Sequence, residues 1–274
     1  MIKPASSLLA LLLAAGASPA FSDTVVTFKN AGKGAPNTIA IHKGMVQMPS
    51  PQGGMRLIMD TNSRNMLMIN DTEKQYMKMN SATIEKTSSL MSQMRQQMMA
   101  QLKNLPPEQR KAIEQRMGLD QAQPKAPVMS LKATGQTKKI SNIPCKVTDI
   151  LKNGKKIMEA CVATPGDAGI AKADYATMKK MFDMSRQFAK QSSKMGGPNA
   201  GGIASMPELN GVPMEVKDLE SGQTVTIATI DSKASLKDAD FKPGEGYKLV
   251  DPLQQMQQMR QQMGRMPAPP QGAK

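Results

Sequence analysis

The sequence predicts an α+β fold, an antiparallel β-sheet with amphipathic helices inserted between its strands. Three observations carry this. Apolar and polar residues alternate with period two from Thr24 to Asn80, the only two cysteines flank an Asn-Gly turn, and methionines recur at helical spacing between the strand-like runs.

Val26 and Phe28 alternate with polar neighbours, as do Ile39 and Ile41, and Gly32, Gly34, Pro36, Gly44, Pro49, Pro51 and Gly53-Gly54 supply turns. Methionine then takes over the alternation. Met55, Leu57 and Met59 share one face of a strand, Met66 and Met68 one face of the next, and Met77 and Met79 one face of a third. A turn at Asn70 to Glu73 sets Met66 and Met68 near Met77 and Met79. The resulting thioether patch either packs under the following helices or lines a pocket.

Ser81 is expected to cap a helix reaching about Asn104, with Ile84, Met91, Met94, Met98 and Leu102 as its apolar stripe. Leu105-Pro106-Pro107 ends it and opens a second helix through Met117, closed by Gly118. Strands resume at Val128 to Gln136. A further helix covers roughly Lys172 to Met195, with Tyr175, Met178, Phe182 and Phe188 inward, and Gly196 to Gly202 connects it to a hairpin of Val212 to Leu219 and Gln223 to Ile230. Lys237 to Val250 carries Phe241 and Tyr247 as a final irregular piece. The chain therefore reads as a signal (1–22), one β-rich domain (23–250) with helical insertions at about 81–118 and 172–195, and a Met/Gln-rich helix with a disordered tail (251–274).

Ile140 to Thr164 reads as a hairpin about Asn153-Gly154, since both residues tolerate the positive φ of tight turns. Cys145 and Cys161 each lie eight residues from Asn153. A three-residue loop, Lys152 to Gly154, brings them face to face for a disulfide, whereas a two-residue turn leaves them one place out of register. The alternative is a pair of buried free thiols.

Export makes the bond chemically reasonable. Lys3, the apolar run Leu8 to Ala15, and the small residues Ala17, Ser18, Ala20 and Ser22 have the layout of a cleaved secretory signal, which points to the bacterial periplasm. No later segment is long and apolar enough to span a membrane. The formal charge is +14, but with no Trp, 3 Tyr and 5 Phe the chain lacks platforms for stacking bases, so no nucleic-acid partner is expected. Anionic membrane or cell-wall surfaces are the matching counter-charges, or the lysines serve solubility.

No catalytic motif is present and an enzyme is not expected. His42 is the only histidine, so a multi-histidine zinc site has no ligands, and Gly32-Lys33-Gly34 lacks the rest of a dinucleotide loop. Asp60, Asp71, Asp149 and Asp231 sit at turns or strand edges, where structural roles predominate. The 26 methionines are the distinctive feature. Met91 to Met98 (MSQMRQQM) and Met256 to Met263 (MQQMRQQM) are near-identical, each placing three thioethers on one helical face. Soft thioethers suit Cu(I), so Met91, Met94, Met98, Met256, Met259 and Met263 form a candidate copper set; the same stripes could instead pack, scavenge oxidants or dock an envelope partner.

The run Ala133 to Thr164, the Leu105-Pro106-Pro107-Glu108-Gln109-Arg110 helix start and Leu209-Asn210-Gly211-Val212-Pro213-Met214 resemble a family of exported bacterial proteins known only as a domain of unknown function. The order of strands and inserted helices is also similar to periplasmic lipoprotein carriers. That second likeness implies a curved antiparallel β-sheet, a half-barrel, covered by its inserted amphipathic helices and holding acyl chains. The expected function is then non-enzymatic binding of a lipid or other apolar ligand, without a cofactor, on a face lined by Met55, Met59, Met66, Met68, Met77, Met79, Met91, Met94 and Met98.

Overall fold

The structure is a computed structural model and describes residues 23–29, 38–49, 54–102, 106–110, 127–194, 207–254 and 257. The expected signal at 1–22, most of the second helix, the connector at 196–202, and Met256, Met259 and Met263 lie outside them.

Among the described residues twelve strands form one unclosed sheet in the order β12-β6-β5-β4-β3-β2-β1-β11-β10-β9-β8-β7. β1 (Thr24–Lys29), β2 (Thr38–His42), β3 (Met45–Pro49), β4 (Met55–Asp60), β5 (Asn65–Asn70) and β6 (Gln75–Met79) run outward from the middle as an antiparallel meander. Its turns suit their residues: Lys43-Gly44, Arg64 and Lys74 take positive φ, and Asp60 closes the turn after β4 by accepting from the Asn62 and Ser63 amides at 2.9 and 3.2 Å.

α1 (Ser81–Leu102) follows β6. Its cap is Asn80, not Ser81: the Thr83 amide donates to Asn80 Oδ1 at 2.9 Å, and an Asn side chain satisfies that orphan donor as well as Ser does. Residues 107–110 are helical, starting at the expected Pro-Pro.

A second meander begins at the far edge with β7 (Met129–Ile140), β8 (Ile143–Lys152) and β9 (Lys155–Ala163). α2 (Lys172–Lys194) intervenes, then β10 (Val212–Asp218) and β11 (Thr224–Asp231) return to the middle, where β11 pairs with β1. The last segment passes through a 3-10 turn (Asp238–Phe241) to β12 (Lys248–Val250), which adds parallel to β6 at the opposite edge. This stretch, left irregular by the sequence reading, thus ends as a strand.

The β8–β9 hairpin has a two-residue turn, not the three-residue loop expected. Lys152 pairs with Lys155, and Asn153 and Gly154 take φ of +51° and +82°. A bulge between Ile150 and Leu151 then shifts the ladder by one residue, so Cys161 stands opposite Val147. Cys145, two residues along β8 from Val147, shares its face, and the disulfide closes diagonally at a Cα–Cα distance of 5.3 Å.

One face of the sheet carries the main core. Val26, Ile41, Val46, Met59 and Met66 of the first meander join Cys145, Val147, Cys161, Val212, Met214 and Ile227 of the second, beneath Met178 and Met181 of α2. Thr24 ties α2 down by donating to buried Asp174 at 2.6 Å. Tyr175 and Phe188 pack inward as expected, but Phe182 is 39% exposed; Met181 occupies the inward position instead.

Candidate functional site

The methionine strands meet in register. Met66 is paired with Met59 on one side and Met79 on the other; Met68 stands between Leu57 and Met77. Period-two alternation puts all of them on the face that bears α2, with Val46 and Met48 of β3 continuing the rows toward the middle. Met59 is 1% exposed and Met66 8%, while Met55, Met68, Met77 and Met79 are half-buried. Met55 lies opposite Asn70, at the end of its row.

The helices bear on this patch from above. Met184 and Phe188 of α2 pack against the core, and the Ser185 hydroxyl lies 4.0 Å from Met59 Sδ. α1 lies against α2. Met94 of α1 is half-buried, Met91 is 41% exposed, and Met98 falls within α1 with its side chain outside the described residues. The copper set predicted on the two repeats is therefore represented in the described residues only by Met91 and Met94.

Between sheet and helices lies a pocket of about 30 Å³, walled by Met66, Met79, Ile84, Met184 and Phe188. Arg64, Asn80, Ser81 and Gln187 complete it on the polar side. A space of this size holds on the order of one water and no acyl chain unless side chains or a helix move.

Past the disulfide the same face turns ionic. Glu159 precedes Cys161 by two residues along β9; Lys138 Nζ lies 2.7 Å and Lys156 Nζ 2.9 Å from its carboxylate, and Lys156 also reaches Asp149 at 2.6 Å. Lys138 and then Lys156 hold the Glu159 carboxyl at about 2, well below the usual range. The apolar surface is thus confined to the half of the sheet under the helices.

The opposite face of β2–β6 has its own small core. Ile58, Ile69 and Phe241 are buried, with Tyr76, Leu236 and Tyr247 around them. His42, buried and stacked on Phe241 at 5.1 Å, places Nδ1 2.6 Å from Asp23 and Nε2 2.5 Å from Asp238. Burial alone would lower its pKa, but hydrogen bonds to Asp238 and Asp23 outweigh that and the net shift is upward. His42 and Lys43 in turn hold the Asp238 carboxyl at about 2. Arg56 fixes the same segment, donating to the carbonyls of Asp240 and Lys242 at 2.5 and 3.0 Å and to Asp71, which also accepts from Tyr247. These are clamps for residues 231–250, and sequence reading missed them because Asp23 and Asp238 are far from His42 along the chain. Asp60, Asp71, Asp149 and Asp231 hold turns and ion pairs, in keeping with the structural roles expected of them.

Among the described residues no group of three or more His, Cys, Asp or Glu side chains converges as a metal site, and no helix is long and apolar enough to cross a membrane. No protein-family model matches the chain, and no curated protein matches it. Two structures of PNGF-II, in C2 and P21 crystal forms, are similar to it at TM-scores of 0.37 and 0.35 and identities of 11% and 9%. Each likeness covers 87% of this chain and 33% of the other, so the chain spans about a third of their length. At these scores the likeness assigns neither a family nor an activity, and the resemblance to an exported family rests on the quoted motifs alone.

Proposed function

We propose that this is a non-enzymatic exported protein that binds an apolar ligand, a lipid or acyl chain, between the methionine-lined face and α1, with the sheet curving as a half-barrel around it. The observation that carries the reading is the registered pair of rows Met59–Met66–Met79 and Leu57–Met68–Met77, the first of which meets Ile84 of α1 and Met184 and Phe188 of α2. In a core filled once and for all, branched aliphatics give tighter and more specific packing; thioethers on flexible stems repack at low cost around varied guests. The small volume of the pocket sets a condition: α1 must lift, or its Ile84 withdraw, for a chain to enter. Extraction of purified protein for lipid mass spectrometry, with displacement of a fluorescent fatty acid, tests the reading. Co-purifying lipid and saturable displacement support it; a protein that carries no lipid and displaces nothing contradicts it.

One observation favours a second reading. Met66, Met79 and Met184 put three soft donors around a space the size of a single ion, the environment Cu(I) prefers. Native mass spectrometry with Ag(I) decides it, since retention of one ion lost in Met184→Leu would move the metal reading first.

A further inference from the structure

We propose that the bound molecule is an amphiphile with an anionic head, and that Arg64 receives that head while the tail lies on the methionine rows. This rests on the apolar-ligand reading and adds the ligand's charge and orientation.

The pocket is two-sided. Its deep walls are thioether, aliphatic and phenyl groups from β5, β6, α1 and α2, and its other side presents Arg64, Asn80 and Gln187. Arg64 ends the turn between β4 and β5 at φ +56°, is exposed, and lines the pocket together with Met66 and Met79. The neighbouring arginines differ from it in having partners. Arg56 pairs with Asp71 and two carbonyls, and Arg186 with Asp183 and Glu208. Arg64 has no carboxylate partner among the described residues. An uncompensated guanidinium at the lip of an apolar pocket matches a carboxylate or phosphate, which it can grip with two parallel N–H donors, and opposes a bound cation. That opposition also weighs against copper in the same space.

Chain placement agrees with this polarity. A head at Arg64 points the tail past Met66 and Met79, where Ile84 of α1 closes the pocket, and on along β5 and β6 toward the half-buried Met68 and Met77.

The test is calorimetric titration of the full chain with three probes sharing a twelve-carbon tail: dodecanoate, dodecyl phosphate and the neutral dodecyl maltoside, at submicellar concentration. The expected result is that both anions bind about tenfold or more tighter than the neutral probe, by an amount that shrinks with salt. R64Q should bring all three within about threefold, R64K should keep part of the preference, and R64E should reverse it. The two anionic arms tell whether a carboxylate or a phosphate is preferred. Thermal melts that match the wild type confirm that the variants fold. Equal affinity of the wild type for all probes, or an anion preference that survives in R64Q, overturns the role of Arg64 and leaves the apolar-ligand reading standing. Failure of every probe to bind overturns both.

Discussion

Met66 of β5 stands directly opposite Met79 of β6, and both face Met184 and Phe188 of α2 across one small pocket. This places the softest, most adaptable side chains of the protein where two strands, two helices and an uncommitted arginine meet. The methionines differ sharply in their burial, and that difference separates packing from binding.

Met59, at 1% exposure, is packed core, whereas Met91, at 41%, is not. Met59→Ala should therefore cost about 2–5 kcal/mol in urea unfolding, and Met91→Ser should stay within about 0.5 kcal/mol. A large loss from Met91→Ser would mean that α1 buries its stripe.

The Cys145–Cys161 bond closes a separation of 16 residues. Reduction, or the double Cys→Ser variant, should lower stability by about 3 kcal/mol at most, because the hairpin's own ladder already restrains the ends. Thiol titration of the native protein should find no free sulfhydryl, and denaturant midpoints before and after reduction measure the loss.

Both ring nitrogens of His42 lie against carboxylates, Nδ1 2.6 Å from Asp23 and Nε2 2.5 Å from Asp238, an arrangement that favours the imidazolium, whose two N–H groups can serve both. Its folded pKa is raised above 6.5, so its contribution is fully present below 6.5 and is lost as pH rises through the raised folded value. As the chain has one histidine, the decline of the urea midpoint as pH rises above 6.5 should vanish in His42→Gln. A slope that persists in that variant assigns it to another group. In acid the sign reverses: Glu159 and Asp238, each held at about 2, stabilise above their ordinary carboxylate range and lose that contribution as pH falls toward 2.

Gly211 takes φ +151°, and a Cβ there would meet the Ala163 carbonyl oxygen at 2.4 Å. Gly211→Ala should destabilise by about 2 kcal/mol or more, since backbone and not a yielding side chain blocks the way. Gly154→Ala, where nothing lies within 4 Å, should cost only the φ strain of its turn and so less. Equal losses in the two variants would contradict the close β9–β10 approach.

Much of this was legible because strand alternation has a fixed period. Once Met66, Met68, Met77 and Met79 were placed on two neighbouring strands, their meeting required only a short turn, and the ladder pairs them one to one. Asn153-Gly154 marked its turn for the same kind of reason, a backbone preference. The bulge at Ile150 carries no such mark, and with the shorter turn it sets Cys161 opposite Val147, two residues from the expected partner Cys145. In α2, Met178 is followed at helical spacing by both Met181 and Phe182; sequence alone favoured the phenyl, but the sheet below took the thioether. Arg64, Asp23 and Asp238 gave no signal, because their meaning comes from groups that only the folded chain brings near.

The central claim is that a hydrocarbon chain lies between β5, β6 and α1. A fatty acid carrying a photoreactive diazirine in its tail, cross-linked to the intact protein and mapped by peptide mass spectrometry, measures this directly. Labelling should concentrate on Met66, Met79, Ile84, Met184 and Phe188 and be competed by unlabelled dodecanoate; labelling confined to the exposed edge strand β7, or insensitive to competitor, would contradict it.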